Sequence, residues 1–153
     1  MITAQARQEF LETIPIFAGL DRVALTEIAR SAEEAAFRAG EIIVKEGEAG
    51  NRMFIIRSGR VEIIKHLGQA HETVLAVLGP GNFLGEMSII ECVTRSASVR
   101  ALEDTVLFAL KSIDLYRLFQ RYPDQYAIMI LNIARDLSRR LRIVDERFAA
   151  LGH

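Results

Sequence analysis

Between Phe83 and Val99 the chain reads FLGEMSIIECVTRSASV. Glu86 follows directly on Gly85, Arg95 lies nine residues further on, and Ser88 and Ser96 add hydroxyls to a stretch otherwise rich in apolar and small residues. Charges set in a segment this apolar need a partner, because an unpaired buried charge is costly. Two pairings satisfy that need. Glu86 and Arg95 form a salt bridge with each other, or both hold a ligand. An arginine presents a planar fork of donors that matches two oxygens of a phosphate. The run Glu86 to Ile90 is long enough for one helical turn, whose unpaired backbone N–H groups attract an anion. Ser96 adds a hydroxyl donor, and Glu86, acceptor-only when ionised, suits a ligand hydroxyl. A compact ring carrying a phosphate with a hydroxyl close by, such as a cyclic ribose phosphate, meets all four features. On these residues alone the ion pair and the anion site stand level, since ion pairs are common and worth little.

What positions this stretch is read from the rest of the chain. With 153 residues, half of them hydrophobic, one domain with its own core is expected. The single cysteine, Cys92, excludes an internal disulfide and fits a reducing cytoplasm. The opening MITAQARQEF has neither a basic start nor a long apolar run, so no secretory signal is expected. No apolar stretch approaches the ~20 residues of a membrane span. A net charge of −1 gives no overall attraction to nucleic acid.

Residues 2 to 35 read as two short helices, with Asp21 as an N-cap and Pro15 and Gly19 breaking the run. From Phe37 the rhythm changes to short β-rich runs separated by glycines: EIIV, MFIIR, VEIIK, TVLAVL, ASVRA and TVLFAL. Short strands at this spacing predict an antiparallel barrel or sandwich. The chain turns helical again at Ser112 and, after Pro123, runs unbroken to Leu151. The expected class is α+β: N-terminal helices over 1–36, an antiparallel, jelly-roll-like β-roll over 37–111, and helices over 112–151, the last one long.

The long helix carries a heptad seam. Ala127, Ile130, Ala134, Leu137, Leu141, Val144, Phe148 and Leu151 follow one another at steps of three and four. In that register Arg140 is a g position and Asp145 the following e position, placed to pair across a parallel homodimer. Leu131, Ile133 and Ile143 add apolar width, so one side is able to pack inward while the seam over 127–151 meets a partner.

A second segment adds to the stretch at 83–97. IVKEGEAGNRMFIIRSGRV, from Ile43 to Val61, places Ile43-Val44, Gly47-Glu48, Gly50, the apolar run Met53 to Ile56, and Gly59 in a gapped order. The later stretch adds Gly85-Glu86-Met87-Ser88-Ile89 and Arg95-Ser96-Ala97. Together these two motifs resemble the signatures of the cyclic nucleotide-binding domain family, and the resemblance extends over essentially the whole chain. It implies that Arg95 binds a cyclic phosphate. The Ser96 hydroxyl and backbone N–H groups in the segments Met87-Ser88 and Ser96-Ala97 would complete the cradle. Glu86 and the Gly85 backbone would hold the ribose 2′-hydroxyl, and Ile63 and Leu75 would line sugar and base. A serine after the arginine resembles the cAMP-type members, with cGMP as the alternative ligand.

The layout most resembles the bacterial catabolite-activator type, whose long helix touches the base through small hydroxyl residues. Here the corresponding positions hold Arg140 and Leu141, so Arg140 would either stack on the base or pair with Asp145. That type also continues into a helix-turn-helix, and only Gly152 and His153 follow Leu151. No direct nucleic-acid binding is therefore expected of this sequence, unless it is the sensor portion of a longer regulator.

Other chemistry finds little footing. His66 and His71 at a hairpin tip lack further ligands at metal spacing, and no metal or cofactor is expected. Cys92 has no His or Lys beside it to activate it, and a small buried thiol is its expected role. The three histidines offer neither a metal set nor an acid–base pair for a phosphodiesterase, so no enzymatic activity is expected. The two readings that remain are a non-catalytic cyclic nucleotide sensor and an interaction module with a vestigial site.

Overall fold

The computed structural model describes residues 2–85 and 94–152. Helix α1 (Ala4–Glu12) and α2 (Arg22–Ser31) flank a 3-10 turn at Pro15–Phe17. Among the described residues eight strands follow: β1 (Glu33–Phe37), β2 (Ile42–Val44), β3 (Arg52–Ser58), β4 (Val61–Lys65), β5 (Thr73–Leu78), β6 (Phe83–Leu84), β7 (Ser98–Ala101) and β8 (Thr105–Lys111). Helices α3 (Ser112–Arg121) and α4 (Pro123–Leu151) complete the chain. The strands form two antiparallel four-stranded sheets, ordered β1-β8-β3-β6 and β2-β7-β4-β5. This is the α+β roll that the sequence predicts.

The central strands β3 and β8 of the first sheet are buried on both faces, which explains their continuous apolar runs. Met53 and Ile55 of β3, with Phe108 and Leu110 of β8, face the helices and join Leu11, Ile16, Phe17 and Ile28 in one core. Phe54 and Ile56, with Leu107 and Ala109, face the other way and pack on Val61 and Val99 inside the roll. Each large side chain fully buried in this way contributes about 1.5–3 kcal/mol. Strand β6 divides along the same line: Phe83 belongs to the helical core and Leu84 to the roll core.

Asp21 caps α2 as expected, its Oδ1 accepting from Ala24 N–H at 2.9 Å. Residues 33–35, read as helical, are instead the start of β1, which pairs with β8 from Glu33 opposite Ala109 to Phe37 opposite Thr105. The Glu–Ala composition of that segment favours helix locally, and strand pairing overrides it.

Helix α4 buries Gln125, Met129 and Ile133. Its inward polar groups satisfy the backbone of the N-terminal turn. Gln125 Oε1 accepts from Asp21 N–H at 2.8 Å, and Asn132 Nδ2 donates to the carbonyls of Ile16 and Ala18. Of the seam residues, Ile130 and Leu137 pack on the helical core, whereas Leu141, Val144, Phe148 and Leu151 are 56–85% exposed. Leu131 and Ile143 are also exposed, so the inward packing falls to Met129 and Ile133.

Candidate functional site

Arg95 is 8% exposed, an unusual setting for a guanidinium. Its backbone is fixed first. Arg95 N–H donates to the Glu48 carbonyl at 2.7 Å, Gly47 N–H donates to the Arg95 carbonyl at 2.8 Å, and Thr94 bridges Ala49 in antiparallel fashion. The two glycine-containing signatures, far apart in sequence, thus clasp each other at the arginine.

The side chain then reaches across the edge of the first sheet. Nη2 donates to the Arg52 carbonyl at 3.0 Å, Nη1 lies 3.5 Å from the Gly85 carbonyl, and the guanidinium carbon is 5.8 Å from the centre of the Phe54 ring. Gly85 has φ +84°, and a Cβ there would collide with Arg95 Nη1 and come within 2.9 Å of the Arg52 carbonyl oxygen. Glycine at this position is what lets the backbone approach the guanidinium so closely.

A second network holds the chain on the far side of Arg95. Lys65, at the end of β4, donates from Nζ to the Ser96 carbonyl at 2.6 Å and pairs with Glu46 at 3.2 Å. Glu46 also accepts from His66 N–H at 3.0 Å, and its own N–H donates to the Ser98 hydroxyl at 3.0 Å. The bond from His66 N–H, with Lys65 beside it, holds the Glu46 carboxyl below its ordinary value. Ser96 is exposed, Ala97 half-buried and Ser98 buried.

Of the residues predicted to line sugar and base, Ile63 packs on the roll core and sits opposite Val99. Leu75 is 51% exposed on β5 and is the extra residue where the β4–β5 register shifts, a device that re-aims a side chain. Arg140 is engaged with the body of the protein. It pairs with Asp136 within the helix at 2.7 Å, donates to the Phe83 carbonyl at 3.2 Å, and stacks 4.5 Å from the Phe83 ring centre. Leu141, its neighbour, is 61% exposed. Glu86, Met87 and Ser88, with Cys92, lie outside the described residues.

Three contributors escaped the sequence reading. Phe54 lies in an apolar run whose types do not reveal which ring meets a cation. Arg52 acts through its carbonyl, which every residue possesses. Lys65 carried a usable signal, a cation closing a strand whose hairpin returns beside the 94–98 segment. His66 and His71 stack with ring centres 4.1 Å apart at the β4–β5 tip, and among the described residues no group of three His, Cys, Asp or Glu is placed to hold a metal. Among the described residues no helix is long and apolar enough to cross a membrane.

Two antiparallel sheets, a buried arginine hung at the junction of two glycine turns, and a long trailing helix define a β-roll regulatory domain. Residues 34–122 match the family model described as the cyclic nucleotide-binding domain, and the chain belongs to that family. It is similar to the cyclic AMP receptor protein of Thermus thermophilus, at 36% identity over 132 residues covering 86% of this chain and 59% of the relative. A cyclic nucleotide-gated potassium channel of Rhizobium etli is 35% identical over 77% of this chain and 33% of its own. Among solved structures, the Thermus thermophilus catabolite activator protein superposes with a TM-score of 0.75 at 35% identity, over 90% of this chain and 63% of that one. A cyclic nucleotide-binding domain from Methylobacillus flagellatus gives a TM-score of 0.81 at 24% identity, over 94% and 81% respectively, a likeness of fold. This chain therefore spans less than two thirds of the length of these two curated relatives.

Proposed function

We propose that this chain is a non-catalytic sensor that binds a cyclic nucleotide, cAMP in the first place, and relays occupancy through α4. The observation that carries the reading is the setting of Arg95: a buried cation, hung from the Arg52 and Gly85 carbonyls where the two signature turns clasp. A neutral carbonyl offers the guanidinium a partial charge and one acceptor, whereas a phosphate offers a full opposite charge and two matched oxygens, so an arriving phosphate competes for the fork. Ser96, exposed and one residue away, supplies a hydroxyl, and Gly85, Glu86, Met87, Ser88 and Ala97 complete the phosphate and ribose contacts. Ile63 and Leu75 line the sugar and base. The resemblance of the Arg95-Ser96 pair to cAMP-type members and the likeness to a cyclic AMP receptor protein support cAMP over cGMP.

The same reading includes a cytoplasmic homodimer. Leu141, Val144, Phe148 and Leu151 continue the heptad seam beyond the packed part of α4, and all four are exposed. A coiled coil with a second copy would bury them.

Titration calorimetry with cAMP, cGMP and cyclic dinucleotides tests the assignment on the wild type, Arg95→Ala and Arg95→Lys. A charge-assisted bidentate contact is worth about 1.5–3 kcal/mol, so Arg95→Ala should bind cAMP at least about tenfold more weakly. Lysine keeps the charge but not the fork and should recover only part of the loss. Equal affinity in all three proteins would overturn the role given to Arg95.

A further inference from the structure

Arg140 occupies a singular place on α4. Among the described residues, every residue of the chain from Leu141 onward is exposed, so Arg140 is where the helix leaves the body of the protein. Its contacts there include β6, a strand at the edge of the first sheet. It is two residues long, it pairs with β3 on one side only, and its two side chains enter different cores. An edge strand leaves backbone groups on its outer side without a ladder partner. The Phe83 carbonyl receives Arg140 Nη2 at 3.2 Å, and the guanidinium lies over the Phe83 ring at 4.5 Å. Asp136, one turn back, lies within ion-pair distance of Nε at 2.7 Å.

Two residues further along the same backbone, the Gly85 carbonyl lies against Arg95, which also faces the Phe54 ring opposite Leu84 of β6. The two arginines therefore grip one short strand from its two ends, one from the ligand site and one from the helix.

We propose that Arg140 is a positioning residue that couples α4 to the ligand site: through Phe83 it senses whether Arg95 still engages the Gly85 carbonyl, and it sets whether the last three turns of α4 are held or released. The inference rests on the nucleotide-binding reading of Arg95. It assigns Arg140 to the protein's own strand rather than to the nucleotide base. A ligand shifts the helix only if it favours one of the two arrangements of β6, which is the requirement for any coupling between sites.

The test is hydrogen exchange by mass spectrometry on wild type, Arg140→Gln and Arg140→Lys, with and without saturating cAMP, beside calorimetry on each. In the wild type, cAMP should change exchange over residues 136–151. Arg140→Gln should bind cAMP within about threefold of wild type, the factor a partly exposed cation–π contact carries, while its helix no longer responds. Arg140→Lys keeps a donor for the Phe83 carbonyl and should restore part of the response. A wild-type helix indifferent to bound cAMP overturns the proposal, as does an Arg140→Gln helix that still responds. An Arg140→Gln affinity loss beyond about tenfold would place the side chain on the ligand and overturn it equally. If the wild type gives no binding heat with any cyclic nucleotide, the reading of Arg95 fails instead. The tie is then decided in the ligand-free proteins, where Arg140→Gln must raise exchange over 136–151 by about threefold, and unchanged exchange ends it.

Discussion

Replacing Gly85 with alanine probes the geometry of the site without touching a charged side chain. Three terms act on the variant. Its backbone φ of +84° lies in the left-handed region, which costs an L residue about 1–2 kcal/mol. The new methyl also collides with Arg95 Nη1 and stands 2.9 Å from the Arg52 carbonyl oxygen, and that oxygen belongs to β3 and cannot swing aside. Moving the guanidinium away forfeits hydrogen bonds from a charged donor, worth about 1.5–3 kcal/mol. Against these, a less flexible unfolded chain returns about 0.4–1 kcal/mol. The net expectation is a loss of about 2–4 kcal/mol, or roughly 4–15 °C in Tm for a chain of this size. Urea denaturation followed by circular dichroism measures the first, and a thermal scan the second. Calorimetry on the folded variant should show cAMP affinity reduced at least about tenfold, since the fork is displaced. A variant within about 0.5 kcal/mol of wild type, with unchanged affinity, would show that Arg95 does not depend on Gly85, and the reasoning would fail.

Gly59→Ala is expected to cost at least about 2 kcal/mol in urea unfolding without altering the site. Its Cβ would strike Thr105 Oγ1 and lie 2.5 Å from the Asp104 carbonyl at a φ of +90°, and a loss under about 0.5 kcal/mol would contradict that packing. Glu46 is held below its ordinary value of 4.5 by His66 N–H and Lys65, so its contribution to stability is fully present above that pH and is lost as the pH falls through the lowered value. Glu46→Gln should therefore be less stable than wild type at neutral pH, with the gap closing as the pH falls from 4.5 through the lowered value; a gap independent of pH would count against the network. Sedimentation should find the wild type as a dimer and a Leu141→Glu/Phe148→Glu variant as a monomer, because both side chains lie exposed on the seam; a monomeric wild type at high micromolar concentration would remove the dimer.

How much of this was legible beforehand depended on whether the information lay in residue types or in the backbone. The boundaries at Ser112 and Pro123, the Asp21 cap and six of the eight strands follow from periodicity and punctuation, and the structure agrees with each. Strand β1 was hidden because Glu33 to Ala36 is a helix-forming composition recruited by β8. Strand β6 was hidden because two residues carry no period, although both its side chains are buried. Arg95 stood out as a charge in an apolar setting, and its burial agrees. Its support from Arg52 did not stand out, since a carbonyl has no side-chain signature. Arg140 was expected on the base or against Asp145; within the single chain it also contacts Asp136 and Phe83, and no heptad register records those contacts.

A crystal structure of the protein grown with saturating cAMP tests the central claim most directly. The expected result is a cyclic phosphate with an oxygen about 2.7–2.9 Å from the Arg95 guanidinium, which has let go of the Gly85 carbonyl. A roll without nucleotide under those conditions, with Arg95 still on the carbonyls of Arg52 and Gly85, would contradict it.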